Sequence, residues 1–348
     1  MNVDIFYYTG TGNTARAVDV IKKEFSSKSY IVRTTRVDAA TSPPAPPLDL
    51  AIIAFPVYAW MAPVSMQRFL RKFPRGAARC AVVAVRGGVP EKDAVGGYSG
   101  GAIEQVERIL TRKGYEVTTS ADAGYPDNWT QFVAPLQSGD VTATCSKGDD
   151  EIRAVMKTFK SGKRSIYRAK LLPKMITGLI AALFLVIGRK GLGSCFIADE
   201  KCNSCGICAK HCPTRTIVMR GKKNARPFWR FTCEACNRCI NICPKHSIQL
   251  SLSALIMSSV LTGIIIAAGI WSLRYIAPFY QDAAWLRVLI HTAAVIAVVI
   301  IAHIAAFPPF AWAVFMLTGF PAVRRFFSKS HTQSYGRYCA PGFKVSAR

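Results

Sequence analysis

The chain carries one cysteine pattern twice, in Cys202-Asn-Ser-Cys205-Gly-Ile-Cys208-Ala-Lys-His-Cys212-Pro213 and in Cys233-Glu-Ala-Cys236-Asn-Arg-Cys239-Ile-Asn-Ile-Cys243-Pro244. Both stretches have the spacing C-x2-C-x2-C-x3-C-P. Three closely spaced thiolates can hold three corners of a cubic iron–sulfur cluster, and the fourth cysteine of each run then completes the other cluster. We expect two 4Fe-4S clusters, one held by Cys202, Cys205, Cys208 and Cys243, the other by Cys212, Cys233, Cys236 and Cys239.

These residues are eight of the twelve cysteines in the 348-residue chain. The N-terminus lacks the basic start and long apolar stretch of a secretory signal, which favours metal ligation in a reducing compartment over disulfides. A structural zinc site is the alternative, but zinc sites usually take four ligands in two pairs. Over Phe196–Leu250 the sequence resembles bacterial-type two-cluster ferredoxins.

The first 120 residues alternate strand-like and helix-like patterns. Val3–Tyr8, Leu50–Phe55 and Cys80–Val85 are short apolar runs typical of buried parallel strands. Ala15–Phe25 and Ile103–Arg112 have helical spacing. The alternation predicts an α/β doubly wound parallel sheet with helices on both faces.

The loop after the first predicted strand suits a phosphate. Glycines let the backbone approach a phosphate, the first N–H groups of a helix favour its charge, and hydroxyls add hydrogen bonds. The run matches the flavodoxin pattern T-x-T-G-x-T, which in that family wraps the phosphate of FMN. A dinucleotide fingerprint, G-x-G-x-x-A with Asp38 as ribose partner, is the alternative, and it does not require the threonines. The candidate residues are Thr9, Gly10, Thr11, Gly12, Asn13 and Thr14.

Two further loops are expected at the same edge of the sheet, where doubly wound sheets bind ligands. The loop after the predicted strand Leu50–Phe55 offers Tyr58 and Trp60 to stack on a flavin ring, although either ring could instead pack on its own domain. The loop after the predicted strand Cys80–Val85 offers Arg86, which could offset charge on reduced flavin or could be a surface arginine. The candidate residues are Pro56, Val57, Tyr58, Ala59, Trp60, Arg86, Gly87 and Gly88.

Taken together, residues 1–250 resemble ferredoxins with an N-terminal flavodoxin-like domain, a fusion family of anaerobic electron carriers. The resemblance implies FMN as a cofactor beside the two 4Fe-4S clusters. The fold expected is therefore a flavodoxin-like domain followed by a small α+β two-cluster ferredoxin domain.

Charge is distributed unevenly along the chain. Residues 1–150 hold 17 basic and 15 acidic side chains, whereas residues 151–348 hold 28 basic and 5 acidic ones. The basic half also contains the long apolar runs Leu250–Leu273 and Val288–Val323, the second broken at Pro308–Pro309. These features predict a C-terminal transmembrane helical hairpin at an anionic lipid surface, and no nucleic acid as partner.

A connector precedes the first cysteine motif. Residues 151–174 form a basic amphipathic pattern in which one helical face is apolar, made of Ile152, Val155, Met156 and Phe159. Met175–Gly188 is apolar but short for a membrane span. We expect the connector to lie on the membrane or dip into it. The alternatives are a charged helix over a soluble core, and a topology with four crossings that would put the cysteine motifs outside.

Charge also orients the hairpin. The tail after Phe320 is basic and has no acidic residue, whereas the loop between the two apolar runs carries only Arg274, Asp282 and Arg287. The positive-inside rule places the tail, the cysteine motifs and the N-terminal domain on the cytoplasmic side of the inner membrane. The expected domains are a flavodoxin-like domain 1–150, a connector 151–194, a ferredoxin domain 195–250, transmembrane helices 251–323 and a basic tail 324–348.

The sequence contains no nucleophile–base set, which favours an electron carrier over a stand-alone enzyme. We expect a membrane-anchored electron-transfer protein that relays electrons between FMN and the clusters, to or from a redox protein partner or a quinone. Two alternatives stay open. One is an FMN-dependent membrane reductase of a quinone or another small molecule, with His291 and His303 as candidate contacts. The other is a redox-sensing membrane anchor.

Overall fold

The computed structural model describes the backbone of residues 1–88, 98–276 and 284–344, and their side chains except those of residues 187, 190, 272–276, 284–288 and 291. The side chain of the predicted contact residue His291 therefore lies outside the described residues. The same holds for the three charges predicted to mark the outer loop, Arg274, Asp282 and Arg287.

The N-terminal part is a parallel sheet with helices on both faces. Its elements are β1 (Asn2–Tyr7), α1 (Asn13–Glu24), β2 (Ile31–Arg36), β3 (Leu50–Pro56), α2 (Val64–Arg71), β4 (Arg79–Gly88), α3 (Ala102–Thr111), β5 (Glu116–Pro126), α4 (Ser138–Lys160) and β6 (Ser165–Ile166). The strands lie in the order β2-β1-β3-β4-β5-β6, and all neighbours pair in parallel. The order 2-1-3-4-5 is that of the flavodoxin-like doubly wound fold, so the predicted class is confirmed.

The sheet forms because its central strands are apolar on both sides. β3 is buried along its whole length, as expected for the middle of a parallel sheet. Helices α2 and α3 cover one face with side chains such as Phe69, and α1 and α4 cover the other with side chains such as Ile21. The carboxyl ends of the strands consequently meet at one edge, which we call the carboxyl edge, beside the loop after β1.

Helix α4 differs from the sequence prediction, which ended the first domain at residue 150. The helix runs through that boundary, and Ile152, Met156 and Phe159 are fully buried against the sheet. Gly148 permits the close approach, because a Cβ there would lie 2.3 Å from the carbonyl oxygen of Gly124. The apolar face that the sequence suggested for a membrane surface is therefore covered by the protein itself.

A connector and a small α+β unit follow. Their elements are α5 (Leu171–Leu183), one π-helical turn (Phe184–Gly188), α6 (Arg189–Ser194), β7 (Phe196–Ala198), α7 (Ile207–Lys210), β8 (Ile217–Arg220), β9 (Arg226–Trp229), α8 (Arg238–Asn241) and β10 (Ile248–Leu250). β7 pairs with β10 and β8 with β9, both antiparallel. Helix α5 leaves apolar side chains in the open, with Leu171 73% and Leu179 65% exposed.

Two long helices form the C-terminal hairpin, α9 (Leu252–Ile276) and α10 (Ala284–Leu317). They contain segments long and apolar enough to cross a membrane, Leu252–Trp271 with 20 residues and Thr292–Leu317 with 26. Only 17% and 11% of their most apolar windows are buried within the chain, which is unlike the core helix of a soluble protein. The predicted break at Pro308–Pro309 is wrong, because α10 continues through both prolines, as helices in apolar surroundings often do.

The chain ends close to the domains it started from. After α11 (Pro321–Ser328) and one 3-10 turn (His331–Gln333), the segment up to residue 344 packs on both globular parts, with Tyr338 5% and Ala340 3% exposed. The described part of the predicted basic tail is thus largely incorporated into the fold. His303 of α10 is 3% exposed and its Nε2 lies 2.9 Å from Thr262 Oγ1 of α9, so it holds the hairpin together.

Candidate metal centres and the sheet edge beside them

The structure gathers the eight motif cysteines into two groups of four. Cys202, Cys205, Cys208 and Cys243 line one cavity, which we call site I. Cys212, Cys233, Cys236 and Cys239 line a second cavity, which we call site II. Each site thus takes three cysteines from one motif and the last cysteine of the other. None of these cysteines forms a disulfide.

The two motifs share a backbone conformation. Ser204 and Gly206 in the first motif, and Ala235 and Asn237 at the matching positions of the second, all have positive φ angles between 52° and 71°. These left-handed residues turn the chain so that successive cysteines face one centre. Asparagine and glycine adopt this conformation at low cost, which explains part of the motif composition.

Backbone N–H groups point at the sulfur atoms. The amide of Thr216 donates to Cys212 Sγ at 3.4 Å, that of Ala235 to Cys233 Sγ at 3.4 Å, and that of Ser247 to Cys243 Sγ at 3.4 Å. Such donors stabilise negative charge on sulfur and so tune the reduction potential of a bound cluster. The chain therefore supplies thiolate stabilisation at both sites.

Burial disfavours the charged form of four of these thiols. It raises the pKa of Cys208 to about 12 and that of Cys236 to about 11. It also raises the pKa of Cys233 and Cys239, and neighbouring cysteines add to the rise. Thiolates become favourable in such a place only with a cation, and a 4Fe-4S cluster brings one iron for each thiolate. Across the described ranges, no three His, Cys, Asp or Glu side chains converge as ligands of a single metal ion.

The carboxyl edge brings the predicted phosphate loop and the loop after β3 together. Tyr58 stands edge-on to Tyr8 with ring centres 6.3 Å apart, and a Cβ on Gly10 would lie 2.6 Å from Tyr58 Oη. Trp60 packs against Gly100, where a Cβ would lie 2.5 Å from that of Trp60. Ala59 and Trp60 form a turn in which both have positive φ.

The residues predicted after β4 belong to the strand itself. β4 extends to Gly88, so Gly87 and Gly88 pair with β5 and do not form a loop. Pro56 is the last residue of β3, and Val57 follows it. The guanidinium of Arg86 lies 3.4 Å from the carboxylate of Asp122 on the neighbouring strand β5. Arg86 therefore forms an ion pair within the sheet.

The chain itself covers the predicted phosphate loop. Every residue from Tyr8 to Thr14 is buried. The C-terminal segment lies on the loop: the Ala340 amide donates to Thr11 O at 2.8 Å, and Tyr338 Oη lies 2.5 Å from Asn13 Oδ1. A Cβ on Gly12 would lie 2.5 Å from the ring of Phe343.

Site II covers the rest of the edge. The carbonyl oxygen of Cys236 would lie 2.9 Å from a Cβ on Gly10. Glu234 Oε1 accepts from the amide and hydroxyl of Ser65, at 2.5 and 2.6 Å, at the start of α2. Burial raises the pKa of Glu234, and the two bonds from Ser65 oppose that rise. Asn237 Nδ2 donates to Asn128 O at 3.0 Å in the loop after β5.

These contacts decide how the edge fits a flavin. The hydroxyl of Thr14 is buried without a hydrogen-bond partner, which suits an anion at the loop. However, the ring of Phe343 covers Gly12, and Tyr58 and Cys236 pack closely against Gly10. Arg238 donates hydrogen bonds to two carbonyl oxygens of the same loop. In this arrangement the residues present do not fit FMN, whereas the cysteine groups fit 4Fe-4S clusters.

Several residues at this edge were missed by the sequence analysis. Glu234, Asn237 and Arg238 occupy variable positions of the second motif, where the cysteine spacing carries no information. Tyr338 and Phe343 lie in a tail without periodicity. Comparing the two motifs gives no indication of a role for Arg238 either, because the matching position of the first motif is the apolar Ile207.

Comparison with known proteins supports the dicluster assignment. Residues 194–244 match the family model of the 4Fe-4S dicluster domain. A similar curated protein is pyruvate synthase subunit PorD of Thermotoga maritima, 35% identical over 51 residues, which are 15% of this chain and 50% of that protein. The chain thus spans half the length of this curated relative.

Solved structures similar to the N-terminal half include a flavodoxin and a putative quinone reductase. A Streptococcus pneumoniae TIGR4 flavodoxin is 14% identical, with a TM-score of 0.30, over 46% of this chain and 99% of its own. A putative quinone reductase from Klebsiella pneumoniae is 14% identical, with a TM-score of 0.29, over 50% of this chain and 93% of its own. The fold assignment rests on the strand order. The chain therefore joins a flavodoxin-like fold to a 4Fe-4S dicluster domain, the combination of the flavodoxin–ferredoxin fusion proteins that it resembles, and it adds two apolar helices.

Proposed function

We propose that this chain is a membrane-anchored electron-transfer protein that passes electrons through two 4Fe-4S clusters, at sites I and II. The proposal rests on the arrangement of the eight cysteines in two groups of four, each with three cysteines from one motif and one from the other. Two-cluster ferredoxins bind their cubic clusters with this pattern. Bound clusters supply one-electron transfer, while the chain's residues exclude water, bind the sulfur atoms and position the sites. FMN is left out of the relay because the carboxyl edge does not fit it.

The hairpin supports attachment to a membrane. Both ends of the hairpin adjoin the dicluster domain: β10 leads directly into α9, and the Ser251 amide donates to Cys195 O at 2.8 Å. Arg325, after α10, pairs with Glu200 at 2.9 Å. The clusters would thus lie on the side of the basic tail, which the positive-inside rule assigns to the cytoplasm. The exposed apolar helix α5 would rest in the lipid interface.

Site I is the proposed point of electron exchange with a soluble redox protein. Cys205 is exposed, whereas none of the four cysteines of site II is. Exposed lysines lie within two residues of a site I cysteine, at Lys201, Lys210 and Lys245. A basic rim steers an acidic partner toward the site, and raised salt should slow such an exchange.

Anaerobic purification in detergent tests the proposal, with iron, sulfide and flavin measured on one sample. We expect about eight iron and eight sulfide per chain, and a signal in electron paramagnetic resonance (EPR) after dithionite reduction. Cys339→Ser, a change of a cysteine outside the motifs, should leave these values unchanged. A sample that contains zinc, or no metal, would contradict the proposal. Extraction of the chain from membranes by alkaline carbonate would contradict the anchor.

A further inference from the structure

Arg238 is the largest fully buried side chain in the described part of the molecule, with 1% of its surface exposed. It lies between Cys236 and Cys239 in the second motif and points across the domain boundary. Its Nε donates to Gly10 O at 2.6 Å, Nη1 donates to His211 O at 3.2 Å, and Nη2 donates to Thr9 O. The guanidinium also faces the ring of Phe343, 5.7 Å from the ring centre.

All of these acceptors are uncharged carbonyl groups. Among the described residues, no carboxylate forms an ion pair with Arg238, although nine other ion pairs are present. The carboxylate of Glu234 accepts hydrogen bonds from Ser65, and the charges of Arg189 and Arg68 lower its pKa. A buried cation without an anion is costly, so a compensating negative charge is expected close by.

Arg238 lines the site II cavity together with Cys236 and Cys239, so the anionic centre that the proposed function places beside the guanidinium is the cluster of site II. We infer that Arg238 is the built-in countercharge of the site II cluster, held in place by the loop of the flavodoxin-like domain. The inference rests on the proposed function and deepens it. Reduction adds one electron and no proton, so a fixed cation favours the reduced state and raises the potential of that cluster.

The flavodoxin-like domain acquires a role from this arrangement. Its β1 loop, which the sequence suggested for a phosphate, presents carbonyl oxygens that orient the guanidinium. Arg238 is therefore a positioning residue that tunes site II, and the domain fixes where its charge lies. Site I has the apolar Ile207 at the matching position, so the same motif position supplies a charge at site II and none at site I.

The test is an EPR-monitored redox titration of the holoprotein in detergent, comparing Arg238→Met, Arg238→Gln and Arg238→Lys with the wild type. At a fixed ambient potential near the midpoint, Met and Gln should lower the ratio of reduced to oxidised site II cluster about tenfold, a shift of about 59 mV for one electron. Lys should restore most of the ratio. The other cluster, and both clusters of the exposed control Arg230→Gln, should keep their wild-type potentials.

An unchanged site II potential in Arg238→Met, or equal shifts in both clusters, overturns the inference. If the neutral variants lose the site II cluster, the lysine variant decides: retention of the cluster supports a charge role, and loss in all three variants overturns it in favour of shape. Wild-type protein without clusters refutes the proposed function, whereas two clusters with unshifted potentials refute only this inference.

Discussion

Sites I and II have the same ligand pattern and the same local backbone, yet their surroundings differ. At site I, Asn203 and Lys210 fill variable positions of the motif and are exposed. At site II, the matching residues Glu234 and Asn241 are buried against the flavodoxin-like domain and the C-terminal segment. The repeated cysteine motif thus specifies the cluster, while the residues between its cysteines determine whether a site faces solvent or another part of the protein.

The difference assigns separate tasks to the two sites. Site I is open to solvent at Cys205 and can exchange electrons with a partner. Site II is enclosed by the edge of the sheet that binds ligands in doubly wound folds. The flavodoxin-like domain therefore encloses one side of site II. The polar groups of its β1 loop form hydrogen bonds with Arg238 and the C-terminal segment.

Removal of one ligand at each site gives the largest expected effect. Cys205→Ser and Cys236→Ser should each remove about half of the iron, because each cube loses one of its four thiolates. The EPR signals lost should be different ones, since the variants affect different cubes. Loss of the same signal in both variants would contradict the division into two sites. Metal analysis and EPR of the reduced samples provide the measurement.

The different surroundings of sites I and II should also change how strongly matched substitutions lower the free energy of unfolding. Glu234→Ala removes the buried acceptor of two bonds from Ser65, and we expect a loss of about 2–3 kcal/mol in the free energy of unfolding. The matched change Asn203→Ala alters an exposed side chain at the same position of the other motif, and it should cost less than about 0.5 kcal/mol. Anaerobic denaturation followed by circular dichroism measures both. Equal losses would show that site II gains nothing from its contact with α2.

Exposure should set the order in which the clusters are destroyed by oxygen. The site I cluster lies beside the exposed Cys205, so we expect it to be lost several-fold faster in air than the site II cluster. The measurement is the decay of each EPR signal in aliquots re-reduced after timed exposure. Arg230→Gln, which leaves both cavities intact, is the control. Simultaneous decay would mean that site II is no better protected in solution than site I.

Sequence patterns predicted the local features of this chain better than its long-range contacts. The alternation of strand-like and helix-like runs predicted the doubly wound parallel sheet, and the cysteine spacing predicted the two groups of four cysteines. The role of Phe159 was misjudged because its helical face shows amphipathicity without showing what covers it. The contact of Phe343 with Gly12 joins residues 331 positions apart, and nothing local in either segment encodes it.

The smallest effect is expected for a substitution in the covered β1 loop. The same substitution would weaken flavin binding if the loop held a flavin phosphate. Thr11→Ala combined with Thr14→Ala removes two hydroxyls of the T-x-T-G-x-T loop. Since Phe343 and Arg238 occupy that loop, we expect flavin, iron and sulfide contents within error of those of the wild type, with less than about 0.1 FMN per chain in both. Flavin fluorescence of acid extracts gives the measurement, and added riboflavin controls for ring binding without phosphate. One FMN per chain in the wild type, lost in the variant, would show that the tail and site II move off the edge in solution. Site II would then face a flavin, and the contrast between an open and an enclosed cluster would have to be redrawn.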